Sequence, residues 1–483
     1  MWRKGLKGKK VIYIHALKNA LLPVITLMGL RMGGMLGGSV FVIPGMGSLL
    51  VNAISMQDIP LIQGCVLLIA LFTSVVKYAG HAGDSAGAGC GERQRRRGRR
   101  AGRNVPDQTG AAPLGHDALA GQKRGAAGIA ELRNLSDVLP CESLVAVRNT
   151  GRALVYAERA RNISISGGGE LNANGRCRFK VNDPKGINKL YTSRPDNLYT
   201  ACCEDIRVSD VRFTSAAYWT LVPLSSRFVT LEHLMLDCMN TPNRDGIDPV
   251  DCHDLSVRHC CIMAGDDGFC LKTADRMGCR NILAEDLVIQ SLASAIKIGT
   301  DSYAKVENVT VRRCILKNVN RCGIAVETVD GAAIRNCIFE DIDMTDCGGP
   351  MYMTIGHRNR KAPQFPVRMG SMAHIVFRRI GYRAPYLFSR CKTGYESLFI
   401  GDSAENKIRD VLVADCDLLL PGGCRHGVDA PQPIGEKYPE YDRHGLSSGA
   451  AFTLRFCEDV RFENNVIQTE RPDVRPLVMI HDC

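Results

Sequence analysis

Two short acidic segments carry the clearest chemical potential in the sequence: Asn243-Arg-Asp245-Gly-Ile-Asp248 and Gly265-Asp266-Asp267-Gly268. Crowded carboxylates cannot all ionise at ordinary pH, so one keeps its proton and can act as an acid while a neighbour acts as a base. Glycosidic cleavage needs that division of labour: one group protonates the leaving oxygen and another activates water. Adjacent residues of a regular strand point to opposite faces, so Asp266 and Asp267 can serve one site only where the backbone bends. Gly265 and Gly268 flank the pair, and a bend is cheapest at glycine. The same residues also fit a Ca2+ site or solvated turn acids, since Asp-Gly pairs are common in loops. Spacing alone leaves both readings open.

The elements that must bring these segments together come from a repeat. From about residue 160 a pattern recurs: apolar, any, apolar, two polar or charged residues, then an apolar, Cys or Asn position. It reads Ile206-Arg-Val-Ser-Asp-Val211, Val229-Thr-Leu-Glu-His-Leu234, Leu255-Ser-Val-Arg-His-Cys260, Ile282-Leu-Ala-Glu-Asp-Leu287 and Val309-Thr-Val-Arg-Arg-Cys314. Ala332 to Cys337, Val411 to Cys416 and Val460 to Asn465 continue it. Successive starts lie roughly 23 to 27 residues apart, the period of one coil of a β-solenoid. Alternation within each unit is strand-like, so the first, third and sixth positions should fill the interior. Cys260, Cys314, Cys337 and Cys416 recur at the last position and predict one internal cysteine stack. The expected fold is all-β, a parallel β-helix, with Asp245 and Asp267 on neighbouring rungs.

Asn243-Arg-Asp245 with Gly246-Ile-Asp248, Gly265-Asp-Asp267 and Ile296-Lys-Ile-Gly-Thr300 together resemble glycoside hydrolase family 28, the polygalacturonase family, over roughly residues 160 to 480. The resemblance implies a right-handed parallel β-helix and an inverting hydrolase that uses neither cofactor nor metal. It implies Asp266 as general acid, with Asp245 and Asp267 positioning and deprotonating the water. Two departures stand out. Where the family has a His-Gly pair this sequence has Ser294-Ala295, and where it has an Arg-Ile-Lys triplet that grips a uronate this sequence has Ala325-Val-Glu327. A negative Glu327 cannot pair with an acidic sugar. Gly323-Ile-Ala-Val-Glu327, Tyr352 and Gly356-His-Arg-Asn-Arg360 are similar to bacterial members of the same family. Lys272, Lys297, Arg358 and Arg360 are candidate anion or hydroxyl contacts. Tyr352 is a candidate sugar-stacking ring, with a core tyrosine as its other reading.

The rest of the chain reads differently. Of its 483 residues, 1 to 79 contain two apolar stretches, Leu21 to Ile43 and Ile59 to Val76, of about bilayer length and without acidic residues. Gly5, His15-Ala-Leu-Lys-Asn19, Leu22-Pro23, Ile43-Pro-Gly-Met-Gly47 and Asp58-Ile-Pro60 resemble the last part of a peptide-type ABC importer permease, so this segment is expected to be helical and membrane-like. That family has further membrane helices before these motifs, and a working importer is not expected from this part. Residues 80 to about 130 are rich in Gly, Ala and Arg, show no apolar period, and predict a disordered linker. We therefore expect three parts: 1–79, 80–130 and the β-helix at 131–483. The two ends read as unrelated coding segments joined together, with the middle read in a wrong frame.

The net charge of +11 is concentrated in the run from Glu92 to Arg103. The balance elsewhere argues against nucleic acid as the partner. Twenty-one cysteines, an odd number with no metal-type Cys-x-x-Cys pair, predict buried free thiols. The expected partner is a polysaccharide or oligosaccharide, the expected state a monomer. The expected location is the membrane if residues 1–79 act as an anchor and the cytoplasm otherwise. Competing readings are a Ca2+-dependent lyase, a non-catalytic carbohydrate-binding β-helix and a membrane transport component.

Overall fold

Each repeat unit buries three side chains and leaves its backbone groups to be satisfied by the coils on either side. In the computed structural model Val229 pairs with Leu255, Leu255 with Ile282, Ile282 with Val309, and Val309 with Cys337, always in parallel. The ladder continues from Cys337 to Ile375, Val411 and Val460. The structure describes residues 118–119, 125–127, 153–175, 194–239, 243–274, 277–358, 368–383 and 395–483. These lie within one unit, Val105–Cys483. The first, third and sixth side chains of the units, such as Leu255, Val257 and Cys260, are buried and form one continuous core.

Two polar positions of the unit turn the chain. Asp210, Asp286, Asp341 and Asp415, all just before the sixth position, have φ between 55° and 59°. A second column just before the first position contains Asp254, Asn281, Asn308 and Asn336, also with positive φ. Asn and Asp tolerate this left-handed backbone better than other side-chain-bearing residues. Their amides also link coil to coil: Asn281 Nδ2 donates to Asp254 Oδ1 at 2.8 Å and Asn308 Nδ2 to Asn281 Oδ1 at 3.2 Å.

The expected cysteine stack is only partly formed. Cys314 pairs with Ile342, and Ile380 precedes the Gly381–Asp417 pair, so Cys314 and Cys416 share a column with Ile342 and Ile380 between them. Cys337 pairs with Val309 and stands in another column. The repeat there runs Cys337-Ile-Phe-Glu-Asp-Ile342, because only that register places Cys337, Phe339 and Ile342 inside. The cysteines among the described residues are free thiols.

Among the described residues the strands form sheets of nineteen, seven and three members. The seven-stranded sheet runs through Phe269–Thr273, Ile296–Ser302, Ile324–Thr328, Met351–Ile355, Ser397–Ile400, Phe452–Arg455 and Val478–His481. It is joined to the three-stranded sheet by isolated bridges at Ile247 and Val250. Pro249 lies between them and has no N–H to donate, which breaks the strand there.

The expected membrane-like segment 1–79 lies outside the described residues. No helix among the described residues is long and apolar enough to cross a membrane. Of the expected linker 80–130, residues 118–119 and 125–127 are described. Ala118–Leu119 pairs with Ile165–Ser166, and Gly125–Ala127 with Glu170–Asn172. A composition without apolar period did not exclude these strands, because the edge of the first full coil offers backbone groups that any extended segment can pair with.

Phe339 and Phe377 stack on neighbouring rungs inside the coil with ring centroids 5.3 Å apart, and Phe399 of the seven-stranded sheet stacks on Phe377 from across the interior at 5.8 Å. Phe377→Ala should cost about 3–5 kcal/mol, read as a lowered midpoint in urea unfolding. A loss below about 1 kcal/mol would mean that the ladder repacks around the gap.

Candidate active site

Asp245 and Asp267 occupy neighbouring rungs because Gly246 N donates to Asp267 O at 2.9 Å, and Gly268 N then donates to Ser294 O at 2.9 Å. A Cβ on Gly246 would come within 2.4 Å of Gly268 O, and one on Gly268 within 2.6 Å of Ala295 O. The glycines after the two aspartates therefore let the coils close up. The chain bends at Gly265 and Asp266, whose N–H groups both donate to Arg244 O at 3.0 and 3.3 Å. This turns Asp266 towards Asn243, which donates to Asp266 Oδ2 from its backbone N at 3.0 Å and its side-chain amide at 3.3 Å. Asp266 is partly exposed, whereas Asp245 and Asp267 are buried.

Two buried lysines thread this acidic floor. Lys297 Nζ lies 3.1 Å from Asp267 Oδ2 and 3.5 Å from Glu327 Oε2. Lys272 Nζ lies 3.8 Å from Asp245 Oδ2 and 3.3 Å from Asp248 Oδ1, and donates to Cys270 Sγ at 2.8 Å. Asp245, Asp248 and Cys270 bring possible ligand atoms within 4.8 Å of one another. The Lys272 ammonium stands among them and supplies the compensating positive charge.

These surroundings drive the carboxyls apart. Burial opposes ionisation of Asp267, but Lys297, Lys272 and Arg321 outweigh it and hold this group below the usual carboxylate range. Burial and then the neighbouring Asp267 charge push Asp266 up. Burial, with Asp248 and Asp266 close by, pushes Asp245 well above that range. Asp248 and Glu327 are each raised to about 7, mainly by burial, with a lysine opposing the shift. The floor thus contains one strongly ionised carboxylate beside several that resist losing their protons.

The structure brings Asp245, Asp266, Asp267, Lys272, Lys297 and Glu327 into one cluster. It does not bring Tyr352 to the surface. That ring is buried against Tyr441 and His444, and its hydroxyl donates to His444 Nε2 at 2.8 Å. His444 Nδ1 donates to Gln432 O at 2.6 Å, and burial lowers the imidazole to about 4, so Nε2 is the free acceptor. Tyr352 thus takes the core role, because the irregular segment 423–451 folds over it. Arg358 is engaged by carboxylates, with Nε 3.0 Å from Asp330 Oδ1 and Nη2 3.1 Å from Asp301 Oδ1. Arg360 lies outside the described residues.

The motifs did not single out several other members of the site. Asp248 was visible within the first acidic segment. Arg321, whose Nη2 lies 2.9 Å from Glu440, acts on both Asp266 and Asp267. Tyr438 lays its ring 5.9 Å from Lys297 Nζ and 5.5 Å from Arg358 Cζ. Glu440 and Tyr438 belong to the segment outside the repeat, which carries no periodic signal.

The described part of the chain is thus a parallel solenoid with a carboxylate cluster on one coil face. Residues 143–381 match the model for glycosyl hydrolases family 28. Two solved structures share the fold. The hyperthermoactive exopolygalacturonase from Thermotoga maritima has a TM-score of 0.52 at 17% identity, over 74% of this chain and 83% of its own. The family 28 exopolygalacturonase from Yersinia enterocolitica has a TM-score of 0.53 at 13% identity, over 76% of this chain and 71% of its own. Residues 4–81 match the binding-protein-dependent transport system inner membrane component. This region is 42% identical over 80 residues to a di/tripeptide transport permease of Pseudomonas aeruginosa, covering 16% of this chain and 24% of the relative. It is 44% identical over 78 residues to a dipeptide transport permease of Escherichia coli, covering 15% and 23%. The chain spans about a quarter of the length of these curated relatives.

Because Asp267 is depressed in the fold, its pairing stabilises above the unfolded carboxylate range, and that stability is lost as pH falls through the lower folded value. Lys297→Met should therefore cost about 3–5 kcal/mol at pH 7, and the deficit should shrink below about pH 4, where the stranded carboxyls take up protons. A deficit in urea midpoints that stayed constant down to pH 3 would assign the loss to packing of the lysine stem.

Proposed function

We propose that this chain hydrolyses glycosidic bonds in a pectin-type or related plant polysaccharide or oligosaccharide, with inversion and without a cofactor. Asp266 is the general acid that protonates the leaving oxygen. Asp267 is the base that takes a proton from the attacking water, and Asp245, protonated or sharing a proton with Asp248, holds that water in line. The observation that carries this reading is the split between adjacent residues: Asp266 is raised by burial and the Asp267 charge, while Asp267 is held down by Lys297, Lys272 and Arg321. One neighbour is thus equipped to give a proton and the other to accept one. The pectic substrate is supported by the match of residues 143–381 to the family 28 model and by the fold shared with two exopolygalacturonases.

In the same reading the helix winds to the right, as parallel crossovers do. Residues 131–483 make up the catalytic part, 1–79 a permease-like segment able to meet a membrane, and 80–130 the connection whose two short strands extend the ladder. The catalytic part works as a monomer on a glycan, which light scattering of the purified chain checks.

The test uses the full chain on pectic oligosaccharides, following reducing-sugar release and, by NMR, the anomer first formed. Asp266→Asn and Asp267→Asn should each lower kcat by about 10²–10⁴-fold while retaining binding, and the first product should have the inverted configuration. The rate should rise with pH as Asp267 ionises, at a value below the usual carboxylate range, and fall as Asp266 loses its proton, above it. Unchanged turnover in Asp266→Asn would sink the assignment. Binding with no turnover in the parent chain would favour the non-catalytic glycan-binding reading.

A further inference from the structure

Away from the acidic floor, stacking of the strand Val478–His481 on Phe452–Arg455 brings two cysteines together. Arg455 pairs with His481 in parallel, and each chain then turns through one left-handed residue, Phe456 with φ 51° and Asp482 with φ 52°. The register therefore survives the corner and sets Cys483 one rung beyond Cys457. Neighbouring rungs lie about 4.8 Å apart, within the span of about 4.4–6.8 Å that a disulfide needs between its Cα atoms. Cys457 N donates to Cys483 Sγ at 3.3 Å. Cys457 is buried and turns its own thiol to Phe399 O at 3.2 Å, whereas Cys483 is exposed.

The exposed sulfur is the more nucleophilic of the two. The Cys457 thiol, more than any other group, holds Cys483 down to about 6, and the Cys457 N–H and the nearby Lys407 add to this against partial burial. The same contact, with burial, pushes Cys457 up. Burial also pushes Cys252, Cys314 and Cys337 up to about 12, which leaves those thiols unreactive. An accessible thiolate beside a second cysteine is the arrangement through which proteins take up and resolve oxidation.

We propose that Cys457 and Cys483 form a thiol–disulfide exchange site for small-molecule disulfides, with Cys483 as the attacking sulfur and Cys457 as the resolving one. Cys483 S⁻ attacks one sulfur of RS–SR, forming Cys483–S–SR and releasing RS⁻, which takes up the proton that Cys483 gave to solvent. The Cys457 sulfur then attacks Cys483 Sγ, the bond to SR breaks, and the second RSH leaves with the Cys457 proton. The protein loses two electrons and two hydrogens, and the small disulfide gains them. Among the described residues Val478–His481 pairs with a strand on one side only. The new bond fastens that strand to the coil beneath it.

The test incubates the reduced full chain with oxidised glutathione and maps its peptides without reduction. A linked Cys457–Cys483 peptide should appear and should be lost again with dithiothreitol. Before oxidation, iodoacetamide at neutral pH should alkylate Cys483 at least about tenfold faster than the half-buried Cys424. Cys457→Ala should halt the reaction at a stable glutathione adduct on Cys483, and Cys483→Ser should leave Cys457 unmodified. The oxidised parent chain should also unfold at a higher urea midpoint than the reduced one, because the bond restricts the unfolded chain. Alkylation of Cys483 no faster than that of Cys424 would overturn the proposal. So would a glutathione adduct on Cys483 that never passes to Cys457 in the parent chain, a result that does not depend on how the variants fold.

Discussion

Rung-to-rung backbone hydrogen bonding is the constraint on which everything at the site depends. Gly246 N to Asp267 O and Gly268 N to Ser294 O fix the distance between coils where the acids stand, at roughly the 4.8 Å of any parallel ladder. The same stacking pairs Cys270 with Lys297 and Lys297 with Ala325, so the lysines arrive beside the carboxylates without any further device. Neither glycine can be enlarged without pressing a carbonyl of the next coil. The geometry of the acidic cluster and the packing of the coils are therefore one requirement.

Stacking brings charges together, and buried charges are tolerated only when paired. Lys272 and Lys297 sit between carboxylates along one face, so each cation is shared by two acids. The sharing is unequal. Asp267 feels Lys297, Lys272 and Arg321 together, whereas Asp245 feels mainly burial and other acids. Fixed charges of this kind act at the moment of reaction without reorganisation.

The segment between Gly422 and Phe452 completes the site from outside the repeat. It covers Tyr352 with Tyr441 and His444, places Glu440 on Arg321, and brings Tyr438 over Lys297. A regular solenoid face is flat, and it takes such an insertion to give that face a wall.

By itself, the sequence determined the solenoid and the acids. The unit with apolar first, third and sixth positions can bury that set of side chains only by stacking, and the span from Asp245 to Asp267 is close to one coil. It also located the Asp266–Asp267 bend, because glycines flank the pair. The register of Cys337 was not legible, since Ala332 and Cys337 are both small enough for an interior position and only pairing with Val309 chooses between them. The fate of Tyr352 and Arg358 was not legible either, because each is decided by residues far away in the chain: His444 for the first, Asp301 and Asp330 for the second. The distinction between Asp266 as acid-like and Asp267 as base-like also belongs to the tertiary structure. The two are adjacent and chemically identical, and they differ because one faces Asn243 and the other Lys297.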